Sequence, residues 1–163
     1  MKKIILFLSV SLFALSLVAQ TNFRDITYKE ALAAAKAEKK LVFIDFYTSW
    51  CGPCKMMMKN IFPLKEVSNY LNSKFVCIKI DAEKGEGPEL AKRYQVKAYP
   101  TFVAINPAEE ILMTKVGGSG SGSGFIGSID RLIDPDKTPE RMKQRYESGG
   151  SLQKPSTGYD QEG

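Results

Sequence analysis

Leu41-Val42-Phe43-Ile44-Asp45-Phe46-Tyr47-Thr48-Ser49-Trp50-Cys51-Gly52-Pro53-Cys54-Lys55 is the stretch on which the reading of this chain turns. Its first seven residues form an apolar run broken only by Asp45, the pattern of a central strand covered on both faces. A carboxylate in that setting is costly unless it has a partner or a purpose. The run leads into two cysteines three apart, at the start of a helix predicted over about 51–60. Pro53 falls in its first turn, where proline is tolerated, and Pro63 ends it. At that position the unpaired helix N–H groups and the helix dipole favour a thiolate on Cys51. The thiolate is the nucleophile in disulfide exchange, so the segment points to a redox-active dithiol. Cys51 is expected to be the nucleophile and the more exposed sulfur, with Cys54, one turn on, as the resolving thiol.

The remainder of the 163-residue chain sets the context. Lys2 and Lys3, the fifteen-residue apolar stretch Ile4 to Val18, and Ala19-Gln20 read as a secretory signal over residues 1–20. The apolar stretch is short for a membrane span. An uncleaved N-terminal anchor is the alternative, and with no cysteine near the cleavage region, lipidation there is excluded. The short, two-lysine signal looks bacterial, which predicts the periplasm. The formal charge of +5 includes Lys2 and Lys3. With no basic patch interleaved with aromatics, it does not argue for nucleic acid. There are three cysteines and no histidine. That excludes a Cys–His nucleophile pair, a mixed Cys/His zinc site and a covalent haem motif. Three thiols also fall short of a four-thiolate zinc or iron–sulfur site. No metal and no cofactor are expected.

Thr27 and Glu30 read as a capping box opening a helix over about 28–39. Lys65 to Leu71 reads as a short helix, Lys74 to Asp81 as a second buried strand, and Glu89 to Tyr94 as another short helix. Thr101 to Ile105 and Ile111 to Val116 read as strands joined by a hairpin at Asn106 to Glu110. The glycine- and serine-rich run Gly117 to Gly124 reads as a flexible linker or loop. Phe125, Ile129, Leu132 and Ile133 then share one helical face, and Asp134-Pro135 ends that helix. Thr138-Pro139 starts another, leading into the charged stretch Arg141 to Glu147. From Ser148 the composition reads as disordered. This gives a domain over 21–134 and a charged helix and tail over 135–163; the tail also leaves open that the chain is a piece of a longer exported protein.

With these elements in order, the chain resembles the thioredoxin family over residues 26 to 134. The resemblance rests on Asp45 six residues before Cys51, on Trp50 to Lys55, on Tyr99-Pro100-Thr101 before the third strand, and on Lys115-Val116-Gly117-Gly118 at the end of the fourth. Ile61-Phe62-Pro63 and the loop at Gly85-Glu86-Gly87 look closer to the exported thioredoxin-like branch, which includes the periplasmic domain of the membrane-embedded disulfide reductase. The resemblance implies an α/β thioredoxin fold, a central mixed β-sheet flanked by helices on both faces. It implies a cis peptide between Tyr99 and Pro100 beside the dithiol, holding an extended substrate segment. It also makes Asp45 the buried carboxylate behind Cys54 and Lys79 the strand lysine that accompanies it. Tyr47 departs from the family, where a second tryptophan is frequent.

Burial should raise the pKa of Asp45 toward neutrality, where a general base is most useful; a structural carboxylate paired with Lys79 is the competing reading. Trp50, Gly52, Pro53, Tyr99, Pro100, Thr101 and Gly117 are the expected substrate surface. Cys77 is expected to be a small buried hydrophobe. Met56, Met57 and Met58 face different directions on a helix, so at least one belongs in the core. The Gly-Pro spacer is that of the strongly reducing thioredoxin, and the strong periplasmic oxidant carries a histidine there. The expectation is a monomeric thiol–disulfide oxidoreductase reducing disulfide-containing exported proteins, fed by a membrane-bound electron donor. A thioredoxin-like docking module and a disulfide isomerase are the alternatives.

Overall fold

The computed structural model describes residues 20–133 and 139–148. The signal and tail readings over residues 1–19 and 149–163 lie outside the described residues. Five strands form one sheet in the order β1-β3-β2-β4-β5. They are β1 (Phe23–Arg24), β2 (Leu41–Tyr47), β3 (Phe75–Asp81), β4 (Thr101–Ile105) and β5 (Ile111–Val116). β1, β3 and β2 run parallel, while β4 and β5 run antiparallel to their neighbours, so the sheet is mixed. Helices α1 (Tyr28–Glu38), α2 (Gly52–Met56), α3 (Lys65–Lys74), α4 (Gly87–Arg93) and α5 (Gly122–Leu132) surround it, and α6 (Pro139–Glu147) follows.

Alternation along β2 and β3 divides the core in two. Val42, Ile44, Phe46, Val76, Ile78 and Ile80 pack with α1 and α4 on one face. Leu41, Phe43, Phe75 and Cys77 pack with Phe102 and with residues of α3, α5 and the dithiol helix on the other. That second face is an aromatic block: the Phe43 ring stacks on Phe102 at 5.6 Å, and Phe125 meets Phe102 edge-on at 5.2 Å. Asp45 continues the line of Leu41 and Phe43, so it lies on the face that the dithiol helix covers.

The capping box forms as expected: Thr27 Oγ1 accepts the Glu30 N–H, and Glu30 Oε2 accepts the Thr27 N–H at 2.8 Å. Other expectations need correction. The helix over 51–60 is not one regular α-helix: after Met56 it widens into a π-turn, Met57–Ile61, with the Phe62 N–H donating to the Met57 carbonyl at 3.0 Å. The wider turn brings Phe62 onto the same inward side as Met57 and Ile61, and all three are buried. The glycine–serine run, expected as a linker or loop, is a loop only as far as Ser121: α5 starts inside it at Gly122, with Ser121 as N-cap accepting the Gly124 N–H at 3.2 Å. Gly122 makes the approach close: a Cβ there would lie 2.5 Å from Glu66 Oε1, 2.9 Å from Leu64 Cδ1 and 3.1 Å from Val67 Cγ2, so α5 meets the start of α3 backbone to side chain. Its apolar face is Phe125 and Ile129, whereas Leu132 is exposed. Finally, β1 is a two-residue strand unforeseen by pattern, aligned by pairing with Cys77 and Ile78.

Gly87, expected in a loop, is buried at the start of α4, and a Cβ there would overlap the carbonyl oxygen of Asp81. Gly87→Ala is therefore predicted to cost about 1–3 kcal/mol through forced backbone displacement, read as a lowered urea midpoint with an unchanged m-value.

Candidate active site

The end of β2 delivers Asp45 to the sheet interior and then turns through Thr48–Trp50 into α2. The Cys51 N–H donates to the Thr48 carbonyl at 3.2 Å, closing that turn. Cys51 is the N-cap of α2, and its Sγ accepts the Cys54 N–H at 3.1 Å. A backbone donor aimed at sulfur favours charge on Cys51 once the pair is reduced. Cys51 and Cys54 form a disulfide with their Cα atoms 5.3 Å apart. The expected difference in exposure is absent: each cysteine is 3 % exposed, because the bridge draws Cys51 in against the amide of Cys54. Gly52 and Pro53 are exposed on the outer side of the bridge.

Asp45 is 1 % exposed and its Oδ1 has no hydrogen-bond partner within the chain. Burial pushes its pKa up to about 7, and the positive charge of Lys79 opposes that rise only in part. Lys79 is the residue paired with Asp45 across β2 and β3. The two do not form an ion pair; the Lys79 ammonium lies over the ring of Tyr47, 5.0 Å from its centroid. The structural-pair reading of Asp45 therefore lacks its contact, and Lys79 acts on Asp45 through space. A cavity of about 340 Å³ opens beside them and is lined by Asp45, Thr48, Cys54, Lys55, Lys59 and Lys79 among others. Asp45 and Cys54 thus face one shared space.

Beside the bridge lies a second group of residues. Trp50 is 65 % exposed, its ring meets Tyr99 edge-on at 5.9 Å, and its Nε1–H donates to Glu83 at 3.0 Å. The Tyr99–Pro100 peptide is cis. The Gly117 N–H donates to the Pro100 carbonyl at 2.8 Å. Lys115 Nζ donates to the carbonyls of Gly117 and Gly118 at 3.0 and 3.3 Å, and the Ser119 N–H donates to Met57 Sδ at 3.2 Å. These bonds tie the turn after β5 to both the Pro100 loop and the dithiol helix. Thr101 belongs beneath this edge: it is buried and its hydroxyl donates to the Ala98 carbonyl at 2.7 Å. Val116, 61 % exposed, extends the apolar rim.

The thioredoxin family model matches residues 19–130. The chain belongs to the thioredoxin family. It is 46 % identical over 69 residues to Thioredoxin-1 of Drosophila melanogaster, a match covering 42 % of this chain and 60 % of that protein. It is 34 % identical over 97 residues to the thiol:disulfide interchange protein DsbD 2 of Pseudomonas aeruginosa, covering 58 % of this chain and 16 % of that protein. Among solved structures, one assigned provisionally as a disulphide-isomerase from Bacteroides thetaiotaomicron matches with a TM-score of 0.57 and 39 % identity, covering 80 % of this chain and 97 % of that one. The chain thus spans less than two thirds of either curated relative. The thioredoxin fold and the family's redox-active disulfide are both present, and with them the machinery of a thiol–disulfide oxidoreductase.

Outside this site, Cys77 is buried and burial pushes its thiol up to about 12, so it is not a thiolate at neutral pH. Of the three methionines only Met57 is fully buried. Sequence reasoning missed Thr48, Glu83, Lys115 and Ser119. Lys115 stands within a motif already quoted, but the other three carry no local signal, since their roles depend on contacts with distant segments.

The pKa of Asp45 sets a stability profile. Folding takes up a proton at Asp45 between its ordinary 3.8 and about 7, so the folded state is favoured most below 3.8 and loses stability as pH rises through about 7. At ~1.36 kcal/mol for each tenfold change in the ionisation constant, this cost reaches about 4 kcal/mol as an upper bound. Asp45→Asn is accordingly predicted to raise the urea midpoint of the oxidised protein at pH 9, and the advantage should vanish near pH 4.

Proposed function

We propose that this protein is a thiol–disulfide oxidoreductase acting as a protein-disulfide reductase on exported proteins. The carrying observation is that Cys54, disulfide-bonded to Cys51, and a buried carboxyl group with a pKa near 7 face one cavity. In the reduced protein the Cys51 thiolate attacks a substrate disulfide. One substrate sulfur becomes bonded to Cys51 and the other leaves as a thiolate. The Cys54 thiol gives its proton to the Asp45 carboxylate, and the Cys54 thiolate attacks Cys51. The Cys51–substrate bond breaks, the second substrate sulfur leaves as a thiolate, and both take protons from solvent. The substrate gains two electrons and the Cys51–Cys54 disulfide returns.

Trp50, Tyr99, Pro100, Val116 and Gly117 form the docking edge for an extended segment flanking the substrate disulfide. The exposure of Trp50 and Val116 supports this, with Tyr99 and Gly117 half-buried between them and Pro100 buried beneath. Export rests on the signal over residues 1–20, with the bacterial periplasm as the compartment and an uncleaved anchor as the variant. A reductant in an oxidising compartment is spent after one turnover, so a membrane-bound electron donor belongs to the proposal.

The purified protein should accelerate insulin reduction by dithiothreitol, and Cys51→Ser should lower the rate to that of dithiothreitol alone; equal rates for both would contradict the reading. Cys54→Ala should trap exported substrates as covalent mixed disulfides, whereas purely non-covalent capture would favour a docking module. A disulfide isomerase is the second reading, favoured by the Bacteroides relative described as one. The couple's reduction potential separates the two: the reductase predicts a value below about −230 mV, and the isomerase one above about −180 mV.

A further inference from the structure

Among the described residues only two buried side-chain oxygens or nitrogens lack a hydrogen-bond partner within the chain: Asp45 Oδ1 and Thr48 Oγ1. Both residues are 1 % exposed, and both line the cavity that Cys54 also lines. The large majority of buried side-chain polar atoms in folded proteins have a hydrogen-bond partner, in the protein or in ordered water. Two orphans facing one space of about 340 Å³, ample for water, therefore have a common solution. A water molecule in that space can donate to the carboxylate and exchange a hydrogen bond with the hydroxyl.

We propose that Thr48 is a positioning residue for the proton transfer from Cys54 to Asp45, its hydroxyl and the Asp45 carboxyl holding between them the water of the shared cavity. The inference rests on the reading of Asp45 as proton acceptor and adds the group that orients the relay. The Cys54 thiol donates its proton to the held water as that water donates one to Asp45 Oδ1. The water is regenerated, Asp45 becomes neutral, and the electron pair left on Cys54 Sγ forms the bond to Cys51. Thr48 neither gains nor loses a proton overall. Its place is set by the backbone, since its own carbonyl accepts the Cys51 N–H in the turn that starts α2. The same residue therefore fixes the dithiol from one end and the water from the other.

The groups facing Asp45 are few. Lys79 and Tyr47 come from the sheet, and Lys55, Lys59 and Cys54 from the dithiol helix and its π-turn. None of these lysines is altered by changing Thr48, so a change in the Asp45 titration on substitution there reports the hydroxyl. Thr48→Val keeps the shape and removes the hydroxyl, and Thr48→Ser keeps the hydroxyl and removes the methyl.

Two readouts on the full chain test this. The first is the rate at which Cys54 resolves a preformed Cys51 mixed disulfide with a small aromatic thiol, across pH 5 to 9. The second is the Asp45 carboxyl midpoint followed by 13C NMR. Thr48→Val should slow resolution about tenfold near neutral pH and raise the Asp45 midpoint, since a hydrogen bond supporting the carboxylate is lost. Thr48→Ser should recover both. A purely structural role for Thr48 would shift the urea midpoint without moving the Asp45 titration. Thr48→Val resolving within twofold of the parent, with an unmoved Asp45 midpoint, overturns the proposal. Asp45→Asn separates the two claims: if it slows resolution while Thr48→Val does not, Thr48 alone is wrong, and if Asp45→Asn itself leaves resolution unchanged, the acceptor reading fails as well.

Discussion

A carboxylic acid held inside an apolar sheet face, with no partner in the chain, is the constraint around which this molecule is arranged. Asp45 stands in line with Leu41 and Phe43, beneath the dithiol helix. Burial alone would hold the group neutral, and a fully neutral acid would be no base. Burial and the distant charge of Lys79 pull in opposite directions and leave the group titrating near 7. That balance requires Lys79 to be close enough to act and too far to pair. The β2–β3 register meets this by setting the two residues side by side, and Tyr47 meets it by drawing the ammonium over its ring. An ion pair would have held the carboxylate ionised and left it a weak base.

The rest of the fold keeps this acid beside the cavity that Cys54 lines. Phe43, Phe62, Phe102 and Phe125 form a rigid block under the dithiol helix, so the helix has a fixed seat. The π-turn at Met57–Ile61 presses Met57 and Phe62 together into that seat. Met57 then accepts the Ser119 N–H, and Lys115 gathers the carbonyls of Gly117 and Gly118, so the turn after β5 is tied to the dithiol helix. Preorganisation of this kind matters because exchange between sulfurs demands a fixed approach, and every bond that holds the loop is one the substrate need not order.

Much of this was legible in the chain. The run from Leu41 to Tyr47 could only be an interior strand, and its single carboxylate marked the site. The Cys-x-x-Cys pair at a helix start named the chemistry, and the resemblance supplied Lys79, Tyr99-Pro100 and Gly117. Sequence reasoning failed where tertiary contacts overrode local preference. Gly122 and Gly124 are poor helix formers, yet a helix forms because Ser121 caps it and Phe125 and Ile129 anchor it in the core. The π-turn answers to the packing of Phe62, and β1 exists only because β3 offers it an edge. Thr48 carried no signal in the sequence, and it stands out only through its burial without a hydrogen-bond partner in the cavity that Asp45 lines.

The central claim is that Asp45 is poised between its two charge states at neutral pH. The direct measurement is the 13C chemical shift of the Asp45 carboxyl carbon in the oxidised protein, followed from pH 3 to pH 10. The account predicts a single large transition with its midpoint near 7. A midpoint near 4, the value of an ordinary exposed aspartate, would contradict it.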